Sequence, residues 1–128
     1  MEKILFKEEG FAIRGAIIKV YKTLGAGFPE NIYQEALEME FEERNIPFIA
    51  QPSLPIAYNG KVLKHNFRPD FLCYDNIIVE IKSVQQIAKE HEAQVLNYLK
   101  ASKLPMGYLV NFSSAPEVYI KGFVKTLV

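Results

Sequence analysis

The segment over residues 68–83, RPDFLCYDNIIVEIKS, places charged side chains where the pattern predicts the core of a β-sheet. Residues 77–79 are apolar on both faces of the predicted strand, which is typical of a central strand covered by helices. Asp70 precedes this strand, and Glu80 and Lys82 end it. Burying such charges is costly unless something compensates them. The segment therefore predicts either a cation site or a solvated polar face with weak ion pairs.

The turn in this segment decides whether the two carboxylates share a face. Directly opposed residues of an antiparallel hairpin lie on the same face. A three-residue loop over 74–76, with Asn76 left-handed, would put Asp70 opposite Glu80. A two-residue loop over 75–76 would instead put them on opposite faces. Only the longer loop makes a shared metal site easy to form.

The residue types suit hydrolysis of a phosphodiester. A hard cation held by a few carboxylates shields phosphate charge, polarises phosphorus and supplies a hydroxide-like nucleophile. The candidate ligands are Asp70, Glu80 and the backbone carbonyl of Ile81. Lys82 shares a face with Glu80 by strand alternation, and it would orient the attacking water or stabilise developing charge. Mg²⁺, which needs few protein ligands, is the expected cofactor, and Mn²⁺ is expected to substitute for it.

The remaining chain predicts an α/β sandwich built on a mixed sheet, in the order ααβββαββ. Apolar spacing predicts helices over residues 11–24, 29–44 and 87–101. Strands are predicted over 54–58, 61–73 and 77–82 before the third helix, and over 106–112 and 118–124 after it. Pro69 interrupts the second of these strands, so we expect a bend or an unpaired edge there.

Composition limits the classes of protein that this chain can be. A length of 128 residues with 49% hydrophobic side chains predicts one globular domain over residues 1–128. No apolar run is long enough for a membrane span, and the start lacks the apolar region of a signal peptide. The single cysteine, Cys73, fits a reducing cytoplasm. Equal numbers of basic and acidic residues, 15 each, argue against a protein that coats nucleic acid through bulk charge.

Glu30 is an ambiguous candidate. It lies in the first turn of the second predicted helix, where the helix dipole favours acidic residues without any further role. Tyr33, Leu37 and Phe41 follow it at roughly one-turn intervals and define the predicted buried face. Glu30 would then point toward the protein, and a functional role stays open beside the structural one.

Three other side chains with reactive groups are weaker candidates for a functional role. His65 and His91 lack an accompanying Cys/His cluster, so neither is expected to bind zinc. We expect His65 to face solvent and His91 to pack or form a hydrogen bond beside the site. Cys73 lacks a matched histidine arrangement and is expected to be buried filler rather than a nucleophile.

Three motifs in order resemble one family. Pro69-Asp70, followed by Glu80-Ile81-Lys82, is similar to the PD-(D/E)XK nuclease signature. QVLNY over residues 94–98 resembles the Q-x-x-x-Y motif of the RecB-like branch of that superfamily. GFPENIY over residues 27–33 is similar to the G-x-x-E-x-x-Y motif that names the small GxxExxY protein family. The resemblance spans residues 11–124 and implies a restriction-endonuclease-like core.

The resemblance also implies roles for individual residues. Asp70 and Glu80 would bind magnesium, and Lys82 would assist the nucleophile. Glu30 would match the acidic residue that many members contribute from the first core helix, and so would add to the metal site. Gln94 would help to orient site groups or water.

Substrate contacts are the remaining expectation. We assign Tyr98, Arg68 and Lys89 to substrate binding, although exposed basic residues commonly serve only solubility. The first functional hypothesis is a magnesium-dependent nuclease that acts on DNA in preference to RNA. The alternatives are a catalytically silent nucleic-acid-binding module and a regulatory or structural subunit of the same fold. The small size is also compatible with a homodimer.

Overall fold

The computed structural model describes residues 6–125, and in this range it contains three helices and seven strands. The helices are α1 (Lys7–Leu24), α2 (Glu30–Glu43) and α3 (Lys89–Ser102). The strands are β1 (Phe48–Ala50), β2 (Leu54–Tyr58), β3 (Lys61–Phe67), β4 (Phe71–Cys73), β5 (Ile77–Lys82), β6 (Met106–Asn111) and β7 (Tyr119–Val124). No helix within residues 6–125 is both long enough and apolar enough to cross a membrane.

Five of the strands form one mixed sheet, in the order β1-β4-β5-β6-β7. Strands β5 and β6 run parallel, and α3 makes the crossover between them; the other three pairings are antiparallel. Strand β5 lies at the centre, and residues 77–81 are all buried. Strands β2 and β3 form a separate two-stranded hairpin.

The two faces of the sheet carry separate apolar cores. On one face, α1 and α2 pack through residues such as Ile17 and Leu37 against Val79 of β5. On the other face, Val95 and Leu99 of α3 pack against the remaining apolar side chains of the sheet and against the base of the β2–β3 hairpin. Because side chains alternate along β5, Glu80 and Lys82 share the α3 face with Ile78.

The predicted fold class is confirmed: a mixed sheet is flanked by helices. The predicted order contained three strands before α3, whereas the structure has five. Strand β1 was missed because three residues are too few to show a periodic pattern. The strand predicted over 61–73 is divided at residues 68–70, and its two parts belong to different sheets. Pro69 lies in that gap. Because proline has no backbone N–H, it could not have donated a ladder hydrogen bond if the strand had been continuous.

The turn between β4 and β5 has three residues, the longer of the two alternatives that the sequence left open. Phe71 pairs with Val79 and Cys73 pairs with Ile77, so the loop consists of residues 74–76. The predicted left-handed residue was wrong: Tyr74 and Asp75 have positive φ angles of 55° and 59°, whereas Asn76 does not. The Asn76 side chain instead donates a 2.9 Å hydrogen bond to the Tyr74 carbonyl, which holds the turn from within.

Candidate active site

Asp70 and Glu80 lie opposite each other at the end of the β4–β5 ladder. Extending the register beyond Phe71 and Val79 by one position brings the two carboxylates to the same face. The backbone N–H of Asp70 donates a 2.7 Å hydrogen bond to Oε1 of Glu80. The backbone N–H of Ile81 donates a 2.7 Å hydrogen bond to Oδ2 of Asp70. Each carboxylate is thus anchored through one oxygen.

Burial and mutual repulsion perturb the ionisation of this pair. Glu80 is 4% exposed, and its desolvation, followed by the charge of Asp70, raises its pKa from 4.5 to about 8. Desolvation also raises the pKa of Asp70, although the Ile81 N–H and the Lys82 charge oppose that rise. The two carboxyl groups lie close enough for each to influence the pKa of the other. Without another cation, the pair therefore favours sharing one proton.

Lys82 supplies positive charge on the same face. Its side chain is half-buried, and its charge lowers the pKa values of Glu30, Asp70 and Glu80. The Lys82 carbonyl accepts a 3.0 Å hydrogen bond from the Phe112 N–H on the β6 side. Carbonyl directions alternate along a strand, so the Ile81 carbonyl points to the opposite side, where Asp70 lies beyond the end of β4.

The backbone of Asp70 is fixed from a second direction. Its carbonyl accepts a 2.9 Å hydrogen bond from the Gln51 N–H and a 3.4 Å hydrogen bond from Nε2 of Gln34. Gln34 is half-buried on α2, and Gln51 has a left-handed φ of 49°. Sequence reasoning missed both residues. Their contacts are made across the chain and leave no periodic signal.

Glu30 reaches the site from the opposite layer, at the start of α2. The residue is exposed to solvent, and its carboxyl lies within electrostatic range of Asp70 and Lys82. Tyr33, Leu37 and Phe41 do form the buried face of α2 as predicted. The neighbouring groups nevertheless desolvate the Glu30 carboxyl and, together with the Asp70 charge, raise its pKa. Glu30 thus lies at the margin of the carboxylate pair.

The loop before α2 explains the spacing of the GxxExxY residues. The Tyr33 ring stacks on Phe112 with a centroid distance of 4.5 Å and an angle of 4°. Its hydroxyl donates to the Gly25 carbonyl and accepts a 3.2 Å hydrogen bond from the Phe28 N–H. Gly27 has a φ of 106°, a conformation that glycine adopts without steric cost. Tyr33 therefore holds the loop that places Glu30.

Gln94 and Tyr98 lie together on α3, beside the pair. Nε2 of Gln94 donates a 2.9 Å hydrogen bond to the Tyr98 hydroxyl. Desolvation, then the charges of Glu80 and Asp70, raise the pKa of that hydroxyl, so it lies within electrostatic range of both carboxylates. The Tyr98 ring stacks on Phe67 at 4.5 Å. Within residues 6–125, Gln94 forms no hydrogen bond to either carboxylate.

The other predicted residues lie outside this cluster. Arg68 and Lys89 are exposed, and neither forms an ion pair within residues 6–125. His65 is exposed as expected, and Nδ1 of His91 accepts a 3.0 Å hydrogen bond from the Ala88 N–H at the start of α3. Cys73 is fully buried, and desolvation raises its pKa to about 12.

Asn111 is a further polar residue that sequence reasoning missed. It is 1% exposed at the end of β6, opposite Lys82 in the parallel ladder. Its side chain accepts a 3.1 Å hydrogen bond from the Val84 N–H and donates a 2.8 Å hydrogen bond to the Val84 carbonyl. This double contact fixes the segment that leaves the Lys82 end of β5. A single asparagine inside the apolar run YLVNF was the available signal.

Comparison with known proteins identifies the family. The model of the PD-(D/E)XK nuclease superfamily matches residues 7–123. The chain belongs to that superfamily. A comparison with curated protein sequences returns no match. Among solved structures, the fold is similar to the crystal structure of SSO0001, with a TM-score of 0.57 and 19% sequence identity. The match covers 96% of this chain and 61% of the SSO0001 chain, and it supports the fold alone.

PD-(D/E)XK nucleases generally use divalent metals such as Mg²⁺, and the carboxylate pair of this chain fits such an ion. Among residues 6–125, no three His, Cys, Asp or Glu side chains form a group that could hold a metal. Glu30 thus does not join Asp70 and Glu80 in a three-carboxylate cluster. The fit rests on the two carboxylates, because desolvated groups that repel each other gain from a shared cation. Mg²⁺ requires only one or two carboxylates when it keeps its waters.

Proposed function

We propose that this protein is a metal-dependent nuclease that hydrolyses phosphodiester bonds in nucleic acid, with DNA preferred to RNA. The observation that supports this most strongly is the pairing of Asp70 with Glu80 on one sheet face, with Lys82 two residues further along β5. Two coupled, desolvated carboxylates beside a lysine are unfavourable as a purely structural device. A divalent cation bound by the two carboxylates and a phosphate beside Lys82 would together neutralise the charges of all three side chains.

The proposed metal ligands are Asp70, Glu80 and the Ile81 carbonyl, with Mg²⁺ as the ion and Mn²⁺ as a substitute. When bound, the metal supplies Lewis-acid polarisation of the phosphate and a bound water of lowered pKa. The protein residues fix the position of that charge. The Ile81 N–H and the Asp70 N–H hold one oxygen of each carboxylate, which leaves the other oxygens for the ion.

Lys82 and Glu30 complete the proposed catalytic group. The Lys82 ammonium lies within electrostatic range of the three carboxylates, so it can hold the attacking water or stabilise charge on the phosphate oxygens. Glu30 contributes negative charge from the margin, where it would interact with metal-bound waters rather than with the ion directly. The loop fixed by Tyr33 determines that position. These contacts also support placing the chain in the GxxExxY group.

Gln94 and Tyr98 are proposed to orient the substrate. Their mutual hydrogen bond holds the Tyr98 hydroxyl close to the carboxylates, on the α3 side of the sheet. This pairing is the contact expected of a Q-x-x-x-Y motif on one helix face. Arg68 and Lys89 are exposed, so their proposed role is to hold phosphates away from the cleavage point.

The deciding experiment measures cleavage of single- and double-stranded DNA and RNA in Mg²⁺, Mn²⁺ or EDTA. We expect metal-dependent cleavage by the wild-type protein. Removing one ligand charge or the lysine, with Asp70→Asn, Glu80→Gln or Lys82→Met, should lower the rate by at least about a hundredfold. Metal binding, measured by calorimetry without nucleic acid, should weaken in the two carboxylate variants and persist in Lys82→Met.

Asp75→Asn is the matched control, because it makes the same chemical change in the turn of the same hairpin. Asp75 is exposed and left-handed, a conformation that Asn tolerates, so this variant should bind metal and cleave as the wild type does. Nucleic-acid binding with no cleavage in any metal would favour the silent module. Absence of cleavage, cation binding and nucleic-acid binding would favour the regulatory or structural subunit.

A further inference from the structure

The β2–β3 hairpin is an exposed ribbon beside the candidate site, and the proposed catalytic residues do not account for it. Six of the seven residues of β3 are exposed, and only Phe67 at its base is buried. Exposed apolar side chains continue to the tip, with Tyr58 at 66%, Val62 at 70% and Leu63 at 43%. Exposed apolar side chains that lie next to one another are typical of a surface that binds a partner.

The charge of this ribbon is of one sign. Lys61, Lys64 and Arg68 lie on it or at its end, and no Asp or Glu occurs between residues 44 and 69. Within residues 6–125, none of these three cations forms an ion pair. In a chain of zero net charge, this is a local positive surface that a polyanion would neutralise.

The base of the ribbon is fixed relative to the candidate site. Leu54, Ile56 and Phe67 pack in the core beneath α3, and the Phe67 ring stacks on Tyr98. Asp70 follows Phe67 by three residues. The base of the ribbon therefore lies beside the carboxylate pair.

We propose that the β2–β3 hairpin inserts into the major groove of double-stranded DNA and presents the duplex to the Asp70–Glu80 pair. The groove of B-form DNA is about 12 Å wide and admits a two-stranded β-ribbon. The five residues of β2 give the paired ribbon a length of roughly 17 Å, because β3 bulges between its pairings with Pro55 and Ala57, and this length is enough to follow the groove past several phosphates. Lys61, opposite Tyr58 at the tip, and Lys64 contact phosphates, and Arg68 contacts them at the base.

The same features select the duplex over other nucleic acids. Proteins that bind single strands stack successive bases on several aromatic rings, whereas Tyr58 is the one exposed Phe, Tyr or Trp residue on this ribbon. Double-stranded RNA is A-form, and its major groove is too deep and narrow for protein side chains to read. The exposed Val62, opposite Ala57 in the ladder, suits apolar contact with a thymine methyl group in the B-form groove.

This inference rests on the proposed function in taking nucleic acid as the partner, but its test requires no cleavage. Fluorescence anisotropy in EDTA would compare a labelled DNA duplex, one of its single strands and the RNA duplex of the same sequence. The test variant is Lys61→Gln/Lys64→Gln/Arg68→Gln. The matched control, Lys7→Gln/Lys19→Gln/Lys22→Gln, removes the same charge from exposed positions on α1, on the other side of the sheet.

We expect the wild-type protein to bind the DNA duplex at least about tenfold more tightly than the other two probes. The hairpin variant should lose about tenfold or more in affinity, and its dependence of log K on log salt should become shallower by about 2 to 3. The control variant should shift affinity by less than the hairpin variant, with the wild-type preference kept. Because all the changes are on the surface, thermal melting should show both variants folded.

Several results would overturn the proposal. Equal losses in the two variants, tighter binding of the single strand or of duplex RNA, or an unchanged affinity in the hairpin variant would each do so. If the wild-type protein sediments as a dimer and the hairpin variant as a monomer with unchanged DNA affinity, the ribbon would be a contact surface for a second copy of this chain. Loss of DNA binding in the hairpin variant, with no cleavage by any form in Mg²⁺, would refute the nuclease and support the ribbon. Cleavage of DNA at equal rates by the wild-type protein and by the hairpin variant would support the nuclease and refute the role of the ribbon.

Discussion

The Asp70 N–H donates a 2.7 Å hydrogen bond to Oε1 of Glu80, and the Glu80 strand returns the contact one residue later, through the Ile81 N–H to Oδ2 of Asp70. Side chains thus replace the backbone ladder where β4 ends. The two carboxyl groups are held together by the same bonds that continue the sheet. The fold therefore keeps the two carboxyl groups close together, so that their negative charges repel each other.

The first prediction concerns the pH dependence of stability without metal. Folding raises the pKa of Glu80 from 4.5 to about 8, so folding favours its protonated form. The resulting stabilisation is full below pH 4.5 and is lost as the pH rises through 8. The slope is at most about 1.4 kcal/mol per pH unit. Urea unfolding in EDTA should therefore give a lower free energy of unfolding at pH 9 than at pH 6.

Glu80→Gln should flatten that dependence, because glutamine carries no titrating proton. The control is Glu35→Gln, which makes the same change at an exposed position on α2 and should leave the wild-type slope in place. If Glu80→Gln retained the full slope between pH 6 and pH 9, another group would be responsible for it.

The second prediction concerns Tyr33, whose hydroxyl joins the Gly25 carbonyl to the Phe28 N–H. Tyr33→Phe keeps the ring stacked on Phe112 and removes both hydrogen bonds. We expect a loss of about 1–3 kcal/mol in the free energy of unfolding. We also expect a lower rate of metal-dependent cleavage at a temperature where the variant is fully folded, because the loop that places Glu30 is released.

Tyr74→Phe is the control for this change, because Tyr74 is half-buried and its hydroxyl forms no hydrogen bond within residues 6–125. It should retain the wild-type rate. A Tyr33→Phe protein that lost stability but cleaved at the wild-type rate would limit Tyr33 to a structural role.

Much of the fold follows from local patterns in the sequence. The α1 and α2 stripes, the Asn59-Gly60 hairpin and the covered strand β5 each have a period or a turn signal that determines them without reference to distant residues. The three-residue turn over 74–76 was one of two open alternatives. The structure selects it because only that register buries Phe71 and Cys73 with Val79 in one core.

The parts that could not be predicted depend on contacts between distant segments. Gln34, Gln51 and Asn111 hold the site through hydrogen bonds between residues 19 to 36 positions apart in the chain, and a polar residue gives no periodic signal of such a contact. The distance of Glu30 from the carboxylate pair was another such feature. Its position depends on the loop before α2 rather than on helical spacing.

The third prediction concerns the reactivity of Cys73. The thiol is 0% exposed, and burial raises its pKa to about 12, so the nucleophilic thiolate is scarce at neutral pH. The native protein should resist alkylation by iodoacetamide at pH 8, followed by mass spectrometry. The same protein in denaturing urea should be labelled within minutes. Rapid labelling of the native form would show that the β4–β5 hairpin opens readily.

The last prediction concerns Asn111. Asn111→Ala removes the two hydrogen bonds to Val84 and a 3.2 Å bond that Asn111 Oδ1 accepts from the Ser113 N–H. About 0.5–1.5 kcal/mol for each of the three bonds gives an expected loss of about 1.5–4.5 kcal/mol in the free energy of unfolding. The segment after Lys82 should also become mobile, so the cleavage rate should fall more than metal affinity does.

Asn76→Ala provides the comparison, because Asn76 forms a single side-chain hydrogen bond, to the Tyr74 carbonyl, in a turn remote from the Lys82 end of β5. It should cost about 1 kcal/mol and leave the cleavage rate unchanged. The decisive quantity is the rate at which folded Asn111→Ala protein cleaves nucleic acid in saturating Mg²⁺. A rate equal to that of Asn76→Ala would mean that Asn111 stabilises the sheet without positioning Lys82. A lower rate with retained metal affinity is expected, because Asn111 lies opposite Lys82 in the ladder and fixes the chain that follows it.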